Sequence, residues 1–125
     1  MSALPRPPTR SMPSERAAGP LRDILHHIDL AGRFVEGFDR DSFRADLRTV
    51  YAVTRCLEII SEASRRLPDE LKERHSTIAW KQMAAAGNVY RHDYEDVAAQ
   101  FVWDTLQRAL PPLKAVIDEE IKRLG

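Results

Sequence analysis

The sequence predicts an all-α fold, an antiparallel helical bundle behind a disordered N-terminal tail. Three observations carry that prediction. Apolar residues recur three or four positions apart through most of the chain, the spacing that places them on one face of a helix. No segment alternates apolar and polar residues over a useful length, and no hairpin dipeptide separates such segments. Five of the eight prolines, Pro5, Pro7, Pro8, Pro13 and Pro20, crowd the first twenty residues, where no apolar period can be drawn.

Residues 1–19 therefore read as the tail and residues 20–125 as the helical domain. A start at Met12 would also account for the preceding segment, and the sequence leaves the two starts open. From Pro20, Leu21, Ile24, Leu25, Ile28, Ala31, Val35 and Phe38 form an amphipathic helix ending near Gly37. Phe43, Leu47, Val50, Val53, Leu57, Ile60 and Leu67 continue the spacing as a second, long helix with a break near Asp46. Pro68, with Asp69 and Glu70 after it, opens a short third helix, because proline and acidic residues both suit a first helical turn. Ile78, Trp80, Met83 and Ala84-Ala85-Ala86 favour another helix, whose alanines permit close approach of a neighbour and which Gly87 weakens locally. From Asp96 a last stripe runs through Val97, Phe101, Val102, Leu106, Leu110, Leu113, Ile117, Ile121 and Leu124. Pro111-Pro112 predicts a kink or two abutting helices within it.

At 125 residues, a single compact core is expected. Nineteen basic residues balance nineteen acidic ones, which argues against both a dedicated duplex-DNA binder and a disordered polyelectrolyte. One cysteine, Cys56, excludes an internal disulfide framework and reads as a small buried hydrophobe. No apolar run approaches the roughly 20 residues of a membrane span or resembles a signal peptide, so a cytoplasmic protein without membrane attachment is expected.

The densest cluster of chemically capable side chains is Asn88-Val89-Tyr90-Arg91-His92-Asp93-Tyr94. On a continuous helix Asn88 and His92 share a face, whereas Tyr94 points away, so a joint site of His92 and Tyr94 requires the helix to stop at or just after His92. Imidazole titrates near neutrality and can serve as general acid or base. The guanidinium of Arg91 matches phosphate oxygens in a bidentate fork, although it could equally pair with Asp93 or Glu95 in solvent.

His92-Asp93-Tyr94 resembles the His-any-Tyr end of the motif of the HepT-like group in the HEPN superfamily. The likeness extends in order through Leu21-Arg22-Asp23-Ile24-Leu25, Arg55 to Ala63, Ile78-Ala79-Trp80-Lys81 and Val102-Trp103-Asp104-Thr105-Leu106. It implies a HEPN-like helical bundle and a metal-independent RNA endonuclease without cofactors. It also implies the toxin of a type VII toxin-antitoxin pair, dimeric, and neutralised by a nucleotidyltransferase antitoxin. By the same resemblance His92 acts on the 2′-hydroxyl or the leaving oxygen, a cation stabilises the phosphate, and Tyr94 accepts AMP. The motif arginine falls five positions before His92, where this chain has Gly87, so Arg91 becomes the candidate cation. The alternative is a catalytically degenerate helical module that docks a nucleotidyltransferase partner. Gly87→Arg is expected to raise RNA cleavage in the first case, and removal of the glycine to raise helix stability as well.

Glu58 and Glu62, four apart on the long helix, are candidates for a supporting role with Asn88, because the resemblance turns this helix toward the cleft. Arg55, Arg65 and Arg66 nearby favour ordinary ion pairing for them instead. Asp23, His26 and His27 have a metal-like helical spacing, yet no second cluster completes a coordination sphere, and a solvated helix face is the stronger reading. Trp80 and Trp103 read as core.

Overall fold

The computed structural model describes residues 13–89 and 95–125. Among them the regular structure is helical, with no strand. Helix α1 spans Pro13–Phe34, α2 Arg40–Ala45, α3 Leu47–Arg65, α4 Asp69–Arg74, α5 Trp80–Val89, α6 Glu95–Asp104 and α7 Leu110–Arg123; a π-helical turn, Thr105–Ala109, joins the last two. No helix among the described residues is long and apolar enough to cross a membrane.

Helix α1 corrects the expected boundary between tail and domain. It starts at Pro13, about two turns ahead of Pro20. The reason is the continuity of its buried stripe, Ala17, Leu21, Ile24, Ile28 and Ala31, which runs straight through Pro20. Proline at the first helical position costs nothing, and the one hydrogen bond that Pro20 cannot donate is offset by burial on both sides of it. The stretch 13–19 thus belongs to the bundle, while residues 1–12 lie outside the described residues. The helix stops at Phe34, and Gly37 makes the turn at φ +80°, a conformation that side chains with a Cβ rarely adopt.

The break near Asp46 is real and has a chemical cause. Asp39 and Ser42 form a reciprocal capping box that starts α2, and Asp46 ends α2 in an extended conformation while its carboxylate accepts from the backbone N–H of Thr49 to start α3. Pro68 is the N-cap of α4, and Asp69 and Glu70 fill its first turn. The Trp80 indole N–H donates to the carbonyls of Lys72 and His75, closing the end of α4. At the far end, Pro111 and Pro112 offer no N–H to the preceding turn. The ladder there widens, with the Leu110 N–H reaching back five residues to the Thr105 carbonyl.

Side-chain pairs fix the antiparallel arrangement. Ser61 lies opposite Gly87 and Arg65 opposite Ala84, so α5 runs against α3. Arg66, just past α3, reaches Asp23 in the first half of α1. Ala17 and Leu21 of α1 border the same small cavity as Glu120 and Leu124 at the end of α7 and its cap. Helix α3 is the hub, touching α1, α2, α5 and α6, and its stripe of Val50, Val53, Leu57 and Ile60 is sealed from solvent. Phe43 of α2 is fully buried against Trp103 of α6, with ring centroids 5.2 Å apart.

Candidate functional site

The α5 register against α3 is set by a glycine. Gly87 is buried, and its N–H donates to the Ser61 hydroxyl at 3.1 Å. A Cβ at this position would stand 3.3 Å from the Ser61 Cβ and 3.4 Å from the Glu58 Cα. Neither of those atoms can swing aside, because one is helix backbone and the other is the first carbon of a side chain that is 1% exposed. Sequence reasoning saw Gly87 as a weak point in a helix. The structure shows a close-packing position, so the expected gain in helix stability on replacing it reverses to a steric cost.

Glu58 and Glu62 diverge. Glu58 lies beside Gly87 and pairs loosely with Arg55, N to O 3.8 Å. Glu62 pairs with Arg66 at 3.1 Å, and Arg66 also holds Asp23 at 3.2 Å. The two carboxylates therefore serve separate cations. His27 hydrogen-bonds through Nδ1 to the Asp23 carbonyl at 2.7 Å and stacks edge-on with His26. Among the described residues no group of three potential ligands gathers for a metal. Burial pushes the Cys56 thiol above its usual range, in keeping with a packed rather than reactive sulfur.

Arg91, His92 and Tyr94 lie outside the described residues, and of Asn88 only the helical backbone is described, in the last turn of α5. Helix α5 runs antiparallel to α3 and delivers residue 87 against Glu58 and Ser61.

A second polar cluster went unnoticed in the sequence. Glu120 is 3% exposed, accepts from the Arg74 guanidinium at 2.7 Å, bonds the His75 imidazole Nε2 at 2.7 Å and has Arg123 at 3.6 Å. Burial pushes its carboxyl upward, but the bonds from Arg74 and His75 outweigh that and hold it below the usual range. The signal was present: Leu110, Leu113, Ile117, Glu120 and Leu124 follow a three-four spacing, and Glu120 occupies an apolar position of that stripe.

An apolar groove of about 560 Å³ lies between α5 and the α6–α7 arm, lined by Met83, Ala85, Ala86, Phe101, Ala109 and Pro112 among others. It flanks the alanine run of α5.

Residues 24–120 match the family described as ribonuclease HepT-like. The chain is 34% identical over 99 residues to a protein of Thermococcus cleftensis named "Probable ribonuclease HepT", covering 79% of this chain and 90% of that one. It is 32% identical over 113 residues to "Putative RNase MJ0125" of Methanocaldococcus jannaschii, covering 90% and 97%. It is also 31% identical over 103 residues to "Putative RNase TTE0752" of Caldanaerobacter subterraneus, covering 82% and 92%. No solved structure matches the chain. The match spans the bundle from Ile24, midway along α1, to Glu120 of α7, and on that evidence the chain belongs to the ribonuclease HepT-like family, within the HEPN superfamily.

Proposed function

We propose that this protein is a metal-independent RNA endonuclease in which His92 and Arg91 carry the chemistry. The observation that supports the reading most is the match to the ribonuclease HepT-like family along residues 24–120, with relatives that carry ribonuclease names. His92 takes the proton of the ribose 2′-hydroxyl, whose oxygen attacks the adjacent phosphorus. The 5′-oxygen leaves with a proton returned by imidazole, and a 2′,3′-cyclic phosphate remains. Arg91 stabilises the charge that builds on the non-bridging oxygens.

Gly87 bears on the choice of cation. In this packing an arginine side chain at 87 would have to start inside the α3–α5 contact, since even a Cβ there crowds Ser61 and Glu58. The cation role therefore falls to a residue outside that contact, and Arg91, adjacent to His92, is the one we assign. Two copies of the chain face each other across a shared cleft, and the groove beside Ala85 and Ala86 gives such a dimer an apolar surface to close on. A nucleotidyltransferase antitoxin silences the toxin by transferring AMP from ATP to the Tyr94 hydroxyl, with pyrophosphate as the leaving group.

The same glycine favours a second reading, in which the site has lost its cation and the bundle survives as a docking module for the nucleotidyltransferase. Cleavage of RNA by the purified chain, with His92→Ala and Arg91→Ala beside it, separates the two. The nuclease reading expects chelator-resistant cleavage that falls at least about 10²-fold in each variant. Equal behaviour of all three proteins supports the docking module.

A further inference from the structure

The solvent face of α3 is electrostatically lopsided. At its C-terminal end both cations are engaged by the fold, Arg65 by the Ala84 carbonyl and Arg66 by Glu62 at 3.1 Å and Asp23 at 3.2 Å. The N-terminal half carries Arg48, Tyr51 and Arg55, three and then four residues apart and so on one face. Tyr51 is 57% exposed, and the Arg55 side chain 71% exposed. Glu58 approaches Arg55 only to 3.8 Å, beyond hydrogen-bond length, and Arg48 makes no ion pair among the described residues. The outcome is an aromatic ring between two outward guanidinium groups about 10 Å apart along the helix axis.

The stripe ends at Glu58, whose backbone abuts Gly87. Because α5 is antiparallel to α3, its last described turn heads toward this half of α3. On the strength of the ribonuclease reading, on which the proposal rests, we infer that Arg48, Tyr51 and Arg55 form a track that holds single-stranded RNA alongside the end of α5. Guanidinium groups neutralise successive backbone phosphates, and the tyrosine ring offers a stacking face to a base between them, a combination that is tolerant of sequence. A zero net charge over the whole chain is no obstacle, because binding reads the local field of the stripe.

The test titrates a fluorescein-labelled single-stranded RNA of mixed sequence with the full-length His92→Ala chain, followed by anisotropy at several salt concentrations. Tyr51→Ala is expected to weaken binding roughly tenfold and Tyr51→Phe to retain it. Arg48→Gln and Arg55→Gln are each expected to shrink the slope of log affinity against log salt by about 0.7, the value for one phosphate contact on a single strand. Arg22→Gln, on α1 next to Asp23 and so at the opposite end of α3, should change neither. With His92 intact, the track variants should raise KM while kcat holds. Unchanged affinity and salt slope in all three track variants overturns the inference and leaves the ribonuclease reading standing. If the variants instead lower the light-scattering mass without altering RNA affinity, the face is a protein contact and the track is refuted. Failure of the parent chain to bind RNA, with no cleavage by the wild type, removes the ribonuclease reading and the track together.

Discussion

Gly87 shows how one hydrogen atom in place of a methyl group sets a helix contact. An alanine in an exposed helix would gain about 1 kcal/mol over glycine, whereas overpacking a dense contact costs about 1–3 kcal/mol. With a Cβ at 3.3 Å from Ser61 and 3.4 Å from the Glu58 backbone, the steric side wins. We expect Gly87→Ala to lower stability by about 1 kcal/mol in urea melts, and Gly87→Arg to cost more because the longer chain must leave the same contact. The arginine variant should lose cleavage along with its fold. Glu120 is the other decisive residue. Its folded carboxyl titrates below its unfolded value, so the stability it adds is complete above the ordinary carboxylate range. That contribution is lost as pH falls from about 4.3 through the lower folded value. Glu120→Gln is expected to lower Tm at neutral pH while flattening its decline in acid. Arg74 remains 38% exposed and keeps some solvation, which limits the neutral-pH cost to roughly 2 kcal/mol.

At the scale of elements, α1 is the clearest case of burial overruling local composition. Its first two turns hold Pro13, Gly19 and Pro20, a poor helix by propensity, yet Ala17 is 3% exposed and keeps the register of Leu21 and Ile24. The Arg16–Glu70 pair adds little, because both side chains are 46% exposed and screened by water. A chain that begins at Met12 should melt like the whole protein. One that begins at Leu21 should lose about 1–2 kcal/mol through the buried surface of Ala17 and Pro20, read as a drop in Tm by calorimetry. The single aspartate between α2 and α3 performs two jobs, and Asp46→Ala is expected to cost about 1 kcal/mol by removing the α3 cap.

For the molecule as a whole, the proposal of two protomers around one cleft makes association and activity inseparable. Light scattering is expected to give about twice the 14.3 kDa chain mass. Ala85→Arg, which places a charge in the exposed wall of the apolar groove, should return the chain to its monomer mass and abolish cleavage in parallel. A dimer that persists in Ala85→Arg would move the interface to another face.

Helix class, the break at Asp46, the punctuation by Gly37 and Pro68, and the disturbance around Pro111-Pro112 were all legible in the sequence, because each depends on residues within one or two turns of one another. Family membership was legible for a similar reason, since an ordered series of local segments carries it. What depended on distant partners was not legible. The reach of α1 to Pro13 is decided by the core it meets, and Glu120 in an apolar stripe is intelligible only once Arg74 and His75 arrive from α4 and its cap. The pairing of Glu58 with Arg55 and of Glu62 with Arg66, by contrast, joins residues three and four apart and was legible in the sequence. Gly87 states the division most sharply: from the sequence it is a missing arginine and a weakened helix, and in the fold it is where α5 comes close enough to α3 for a backbone N–H to bond the Ser61 hydroxyl. Propensity and periodicity act along the chain and can be read there, whereas steric exclusion and charge pairing act across space and exist only after the helices have packed.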